Sequence, residues 1–378
     1  MTRPQCRVCA RALFHEPLLR YANMPRVAQF LPDRSSLESD RGLDLTIWQC
    51  SGCGLVQLRD EPVYYYKDVI RAVGLSDEMR AFRATQFRGF FDRFSLAGKK
   101  VIEIGCGRGD YLSMLRDAGA DAVGLEHSAA SVAACRAAGL NVTEGFVGSP
   151  EDVVPGGPFD GFAIFNFLEH LPDPNATLAG IHRNLADGGV GLVEVPNFDM
   201  MLRERQFAEF MSDHLCYFTA ETLTTALSIN GFEVLECTDE WHGYVLSAVV
   251  RKRARLDLSG FHAQQARLRD EVHAHIQRFS PKSVAIWGAG HQALALIALL
   301  DLQHSIRYVV DSAPFKQGRY TPATHLPIVP PSMLETDPVE AVIVMAAGYS
   351  DEVARTIRAR FDPRLDVALW RESGLEPA

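Results

Sequence analysis

The stretch Val101-Ile-Glu-Ile-Gly105-Cys-Gly107-Arg-Gly109-Asp110 constrains what this chain can fold into more than any other segment. Its apolar run, Val101 to Ile104, predicts a buried strand, and a helix starts after the last glycine. Glycines at alternate positions let the backbone turn sharply between the two and lie against a ligand without Cβ clashes. The bland reading is a tight strand-to-helix connection with no ligand. A dinucleotide fingerprint leaves two residues before its third glycine, whereas Gly105-x-Gly107-x-Gly109 leaves one and adds a carboxylate at Glu103.

The following strand, Ala122-Val-Gly-Leu-Glu126, ends in an acid about 20 residues after the first glycine, where a carboxylate can accept both hydroxyls of a ribose. Phe159 to Asn166 reads as a later strand, and its carboxyl end should face the ligand, since ligands gather there in parallel sheets. The combination resembles motif I of class I S-adenosylmethionine (SAM) methyltransferases. That resemblance implies a methyl-donor site formed by Glu103, Gly105, Gly107, Gly109, Glu126 and Asn166.

With 378 residues and 47% hydrophobic content, the chain is long enough for two or three domains with sizeable cores. The longest apolar stretch, Ala293 to Leu300, is far short of the roughly 20 residues a membrane-spanning helix needs, and the polar N-terminus lacks a signal-peptide core. A cytoplasmic protein without a membrane partner is expected. A net charge of −9 disfavours nucleic acid as a partner; the expectation of a small-molecule substrate comes from the resemblance and not from charge.

Four of the eight cysteines form two knuckles, Cys6-Arg-Val-Cys9 and Cys50-Ser-Gly-Cys53. Two thiolates separated by two residues can grip one metal from a tight turn, and two such turns complete a tetrahedral Cys₄ zinc site with no open position. The zinc is therefore read as structural, stapling a small segment whose own core is thin. Arg11 to Gln49 must form a hairpin and loop inserted between the knuckles. The competing reading is a redox pair, but that motif is single and precedes a helix. Cys106, Cys135, Cys216 and Cys237 read as buried or incidental thiols.

Periodicity and punctuation divide the chain into a zinc module (residues 1–68), a methyltransferase-like domain (69–255) and a C-terminal domain (256–378). Tyr64 to Arg93 reads as a mostly helical connection, and Arg251 to Gly260 as a charged, solvated hinge. Phe261 to Phe279 reads as a helix with Leu268, Val272, Ile276 and Phe279 on one face. His182, His273 and His275 have polar neighbours and read as surface residues. A second glycine turn follows, Trp287-Gly288-Ala-Gly290-His291-Gln-Ala293, with Asp311 at the end of the next strand. Here the spacing matches Gly-x-Gly-x-x-Ala, so a nicotinamide dinucleotide (NAD) site is one reading. The run from Asp311 to Pro327, with Lys316, Arg319 and Tyr320, is dense in turn formers and donors, which suits a phosphorylated ligand instead.

Taken in order, the Cys₄ knuckles, the SAM motif and the C-terminal domain with its second glycine turn resemble bacterial sugar C-methyltransferases over nearly the whole chain. The resemblance implies an α/β fold, with a class I SAM methyltransferase domain flanked by the zinc module and a second Rossmann-like domain. It also implies methylation of a carbon beside a ketone on a nucleotide-linked deoxysugar, with SAM and structural Zn²⁺ bound and the C-terminal domain helping to hold the nucleotide sugar. Carbon methylation needs a base to make the carbon nucleophilic. The family's Glu-His pair ahead of Tyr-Phe matches Asp213-His214 ahead of Tyr217-Phe218, which implies His214 as base, with Asp213 or another acceptor orienting it. His170 matches a second family histidine, and is equally read as architectural. Tyr64, Tyr65 or Tyr66, Tyr65 foremost, would offer a phenol, or pack the zinc module. Tyr217, Gly288, Gly290, Asp311, Lys316, Arg319 and Tyr320 would contact substrate. The chain departs from the family at Asp213 (Glu expected), at Met211 (Tyr expected) and in lacking a serine-rich segment. O- or N-methylation of a sugar or glycan is the alternative, and an NAD-binding fusion enzyme a weaker one.

Overall fold

A computed structural model describes residues 4–29, 31–68 and 75–378. They form two compact units, Met1–Ala254 and Arg255–Ala378. In the first, β1 (Leu19–Met24), β2 (Leu43–Gln49) and β3 (Val56–Leu58) precede α1 (Asp77–Phe94). Then come β4 (Lys100–Ile104), α2 (Asp110–Asp117), β5 (Asp121–Glu126), α3 (Ala129–Ala137), β6 (Val142–Glu144), β7 (Phe159–Phe165) and α4 (Pro174–Asn184). The unit ends with β8 (Leu185–Pro196), α5 (Phe198–Glu204), β9 (Cys216–Tyr217), α6 (Ala220–Ile229), β10 (Phe232–Glu240) and β11 (Val245–Lys252).

Its larger sheet has the order β10-β11-β8-β7-β4-β5-β6. The five strands from β8 to β6 run parallel, while β11 is antiparallel to both neighbours. These parallel strands read as continuous apolar runs because helices cover both faces; Val101, Ile102 and Ile104 on β4 and Phe162, Ala163 and Ile164 on β7 are all buried. β5 lies on one side of β4 and β7 on the other, so the crevice at their carboxyl ends is the topological switch point where such sheets bind ligands.

α1 begins at the Ser76 cap, whose side chain accepts the Met79 amide, with Asp77 and Glu78 favourably placed in its first turn. The helical connection expected from Tyr64 is therefore helical only from Asp77 onward: Tyr64 to Lys67 form a turn, and residues 69–74 lie outside the described residues. The helix is fastened to the sheet by a buried ion pair, with Arg83 Nη1 2.5 Å from Glu194 Oε2 on β8. Gln86 Nε2 donates to the other carboxylate oxygen at 2.6 Å, and the guanidinium lies over the rings of Tyr111 and Phe165. Removing one member of such a pair leaves the other charge buried alone. Arg83→Met should cost about 3–5 kcal/mol in urea denaturation, and Arg83→Met with Glu194→Met much less.

The smaller sheet has the order β1-β2-β3-β9. β1 and β2 form the hairpin expected between the cysteine pairs. Its fourth strand comes from far along the chain, since β3 pairs antiparallel with β9 through Val56–Tyr217 and Gln57–Cys216.

The second unit contains α7 (Ser259–Ile276), β12 (Val284–Trp287), α8 (His291–Leu299), β13 (Ile306–Val310), β14 (Arg319–Tyr320) and β15 (Pro327–Val329). It continues through α9 (Met333–Thr336), β16 (Ala341–Val344), α10 (Ser350–Arg360), β17 (Asp366–Arg371) and β18 (Gly374–Pro377). The sheet order β14-β15-β13-β12-β16-β17-β18 has a parallel centre and antiparallel edges, with its own switch point between β12 and β16. Leu268, Val272 and Ile276 are buried along α7, and Phe279 packs beyond its end. The three histidines read as surface residues are instead half-buried. His273 Nε2 donates to the Leu300 carbonyl at 2.8 Å, His182 packs edge-on against Phe232, and His275 against Phe279. Polar neighbours in sequence concealed these contacts. Among the described residues, no helix is long and apolar enough to cross a membrane.

Candidate functional site

The first glycine turn connects β4 to α2 with φ of 72° at Gly105, 54° at Gly107 and 85° at Gly109, the left-handed region that favours glycine. Glu126, at the end of β5, folds back onto this turn. Gly107 N–H donates to its Oε2 at 2.8 Å, and Ser128 N–H donates to its Oε1 at 2.8 Å. Both oxygens are thus held in place, and each keeps a further lone pair for a ligand hydroxyl. A Cβ on Gly107 would meet no atom within 4 Å, so open space lies above the turn. Beside it is a small pocket lined by Lys67, Gly105, His127, Phe146 and Phe167. Lys67 Nζ lies 4.7 Å over the Phe146 ring, and His127 Nδ1 is 2.9 Å from Asp68. Glu103 is buried on β4, and Asn166 is exposed at the end of β7 with φ of 47°. These residues fit a nucleoside with ribose hydroxyls, as SAM carries.

A second cluster gathers around Asp213, His214, His170 and Tyr65. Tyr65 O–H donates to Asp213 Oδ2 at 2.8 Å, while the Ala28 N–H reaches both Asp213 Oδ1 and the Tyr65 oxygen. Burial, reinforced by Asp213, pushes the phenol up to about 12, so Tyr65 keeps its proton. The Asp213 side chain was one of the candidate acceptors for orienting His214. It is instead committed to Tyr65 and Ala28, because on this tight turn successive side chains diverge. Asp213 acts through its carbonyl, which accepts from His170 Nδ1 at 2.8 Å and fixes that ring's tautomer.

His214 stands against His170 with ring centroids 4.7 Å apart at 76°. Among the described residues no hydrogen bond reaches its imidazole, which is held down to about 3 by burial and then by His170. It is therefore neutral, with a lone pair available. Next to His170 lies Glu169, whose Oε1 is 3.8 Å from His170 Nε2 and whose carboxyl burial pushes up to about 8. Tyr217 is enclosed, and its hydroxyl accepts the Met211 N–H and donates to the Met211 carbonyl. It shapes the turn that carries His214 and has no phenolic hydrogen left for a substrate. Of the other tyrosines, Tyr64 is exposed and Tyr66 packs edge-on against Phe146.

The four thiols of Cys6, Cys9, Cys50 and Cys53 converge, with all sulfurs within 4.8 Å of one another. Cys6–Cys53 and Cys9–Cys50 separations of 3.7 and 3.3 Å approach the roughly 3.8 Å edge of a tetrahedron with 2.3 Å zinc–sulfur bonds. Each knuckle closes with a left-handed residue, Ala10 at φ 57° and Gly54 at φ 82°. Amides of Val8, Gly52 and Cys53 donate to sulfurs, as they would to thiolates. The donor set fits a zinc ion. Arg7, inside the first knuckle, donates through Nη1 to the Pro172 carbonyl at 2.8 Å, two residues beyond His170.

In the second unit Gly288 has φ of 121°, and a Cβ there would strike the Met345 carbonyl. Ala289 N–H donates to Asp311 Oδ2 at 2.9 Å, much as Gly107 does to Glu126. The difference is Lys316, whose Nζ sits 2.8 Å from the same oxygen. Against the cost of burial, Lys316 and the Ala313 and Ala289 amides hold Asp311 below the usual carboxylate range. Arg319 and Tyr320 are exposed on edge strand β14.

Comparison with known proteins gives two family matches in succession: "Methyltransferase domain" over residues 79–237 and "C-methyltransferase C-terminal domain" over residues 253–362. The chain is a SAM-dependent methyltransferase. The methyltransferase is 24% identical to C-methyltransferase NovU of Streptomyces niveus, over 92% of this chain and 91% of that protein. It is 37% identical to a ubiquinone biosynthesis O-methyltransferase of Methylococcus capsulatus, but over only 25% of this chain and 42% of that protein. A solved SAM-dependent methyltransferase from Mesorhizobium loti covers 47% of this chain at 17% identity, with 98% of its own length and a TM-score of 0.37.

Some residues of the methyltransferase's site escaped sequence reasoning. Glu169 was visible only as part of a short run after a strand, although its place directly before His170 was a usable signal. His127 directly follows Glu126, which could have marked it. Lys67 and Phe146 carried no signal, because only the turn at Tyr64 to Lys67 brings them together.

Proposed function

We propose that the enzyme methylates a carbon next to a ketone on a nucleotide-linked deoxysugar, through an enolate formed by His214. The observation that carries this reading is a half-buried, neutral imidazole that packs edge-on against His170 and has no hydrogen-bond partner among the described residues, held on the turn before β9. The near full-length likeness to a C-methyltransferase supports it.

In this account the Gly105–Gly109 turn, Glu126 and Asn166 hold SAM, which supplies an electrophilic methyl on a sulfonium. Glu103 lies beneath that turn. His214 takes the proton from the carbon beside the ketone, and the bonding pair passes into the enolate. Burial disfavours the imidazolium, and the enolate charge forming beside it offsets that cost. The carbon would then take up the methyl as the carbon–sulfur bond of the sulfonium breaks, its electron pair staying on the sulfur of the departing S-adenosylhomocysteine, and His214 releases its proton to solvent. Tyr65 and Asp213 hold the segment around Ala28 against the turn carrying His214.

The second unit would take the nucleotide. The N-terminus of α8, Lys316 and Arg319 offer donors and positive charge for a diphosphate, and the exposed rings of Tyr320, Phe315 and Tyr349 offer surfaces for a base. NAD is disfavoured, since Lys316 already occupies the carboxylate oxygen a ribose would need. The zinc is structural.

Loss of the clamp should show directly on the donor: Glu126→Ala is expected to weaken SAM about ten- to hundredfold by titration calorimetry, as for lost hydrogen bonds to a charged group. The enolate is tested with a panel of nucleotide-linked keto-deoxysugars in deuterated water, with S-adenosylhomocysteine replacing SAM. Deuterium should enter one carbon beside the ketone of the true acceptor. An acceptor that is methylated with SAM yet never exchanges would refute the enolate.

A further inference from the structure

Glu169 and His170 are the groups of the acceptor cluster that the proposed reaction leaves unused, and Glu169 is the more deeply buried of the two. It lies in the short turn Leu168–His170 after β7, and its side chain is 2% exposed. Its Oε2 has no hydrogen-bond partner among the described residues, and its only charged-group neighbour within 4 Å is His170 Nε2, 3.8 Å from Oε1. A carboxylate there would be buried with only its own backbone amide to compensate, and burial wins, so the group stays an acid.

The facing ring has the complementary need. His170 Nδ1 gives its hydrogen to the Asp213 carbonyl, so Nε2 is a buried lone pair in want of a donor. Burial also lowers His170 as a base, which argues against hydrogens on both nitrogens. A carboxylate opposite would need an Nε2–H; a carboxylic acid supplies the hydrogen itself, once the oxygen closes by about an ångström to hydrogen-bonding distance.

We infer that Glu169 is a positioning residue that works in its neutral form, donating a hydrogen bond from its carboxylic acid to Nε2 of His170 and so bracing that ring against His214. The inference rests on the proposed reading of His214 as base only for its consequence, not for its geometry. The bracing is two-sided: Leu215 N–H donates to the Glu169 carbonyl at 2.8 Å, and the Asp213 carbonyl holds His170, so both neighbours of His214 in sequence are tied to the Glu169–His170 turn. With both nitrogens occupied, His170 meets His214 through ring packing and leaves the acceptor to others.

The test is long-range nitrogen–proton spectroscopy of the zinc-loaded, full-length enzyme labelled at histidine nitrogens, at neutral pH without acceptor. Wild-type His170 should carry its hydrogen on Nδ1, with an Nε2 resonance shifted as a hydrogen-bonded acceptor. Glu169→Gln, whose amide can still donate, should keep that resonance and hold deuterium exchange within a few-fold of wild type. Glu169→Leu should move Nε2 to the free-acceptor position and slow exchange about tenfold, as for one lost hydrogen bond. Hydrogen on Nε2, or on both nitrogens, in the wild type would overturn the inference, as would a Gln variant as slow as the Leu variant. The wild-type spectrum decides even where Glu169→Leu does not fold. Failure of the base reading would show separately, as exchange that survives loss of His214 while the His170 spectrum is unchanged.

Discussion

His214→Asn should lower turnover about a thousandfold or more, in the middle to upper range for loss of a general base, while SAM affinity stays within a few-fold of wild type. The size follows from the site. Among the described residues of the cluster, none is so well placed to take the proton: His170 is tied to the Asp213 carbonyl through Nδ1 and turns Nε2 toward Glu169, Tyr65 keeps its hydrogen, and Glu169 holds its own. The variant should also fold, because the ring makes no hydrogen bond among the described residues and Asn keeps the backbone of the turn. Single-turnover kinetics with saturating SAM, alongside calorimetry of SAM binding, check both halves. A variant that turns over at near wild-type rate would remove His214 from the chemistry and favour an acceptor that is already nucleophilic, such as an amine.

Removing the metal should have an equally large effect by a different route. A structural zinc contributes about 10–16 kcal/mol in small Cys-rich domains, as much as or more than the 5–15 kcal/mol by which whole domains are stable. Without it the knuckles lose their fold. They do not line the reaction centre, but they are wired to it: Arg7 holds the Pro172 carbonyl, Asn175 donates to the Val8 carbonyl at 2.7 Å, and β3 supplies the partner strand of β9. Loss of the smaller sheet therefore frees the turn that carries His214. Cys50→Ser, or a strong chelator, should release one zinc per chain and abolish methyl transfer, while the larger sheet still binds SAM. Metal analysis, calorimetry and the transfer assay read the three outcomes. Full transfer by a zinc-free protein would contradict the wiring.

The parts of this molecule legible in its sequence are those whose physics is local. Alternate glycines must turn, so Gly105 to Gly109 and the acid at Glu126 could be placed, and paired cysteines announce their geometry through spacing alone. The start of α1 could have been found at Ser76, a capping residue, whereas the tyrosine run suggested a helix without a cap. Long-range pairing left no such trace. A two-residue strand, Cys216–Tyr217, joins a sheet formed some 160 residues earlier, and nothing in its own residues says so. Adjacency also misled: Asp213 next to His214 suggested a side-chain partnership, yet the carboxylate serves Tyr65 and the carbonyl serves His170. At Asp311 the acid was legible, but the cation that neutralises it, Lys316, was read as facing a ligand.

The bond that the transferred methyl group makes is the most direct test of the account. SAM carrying a carbon-13 methyl should be incubated with the keto-deoxysugar panel, and the labelled product examined by carbon NMR. The account predicts a methyl bonded to carbon, on the position beside the ketone that exchanges with solvent. A labelled methyl on oxygen or nitrogen would contradict it.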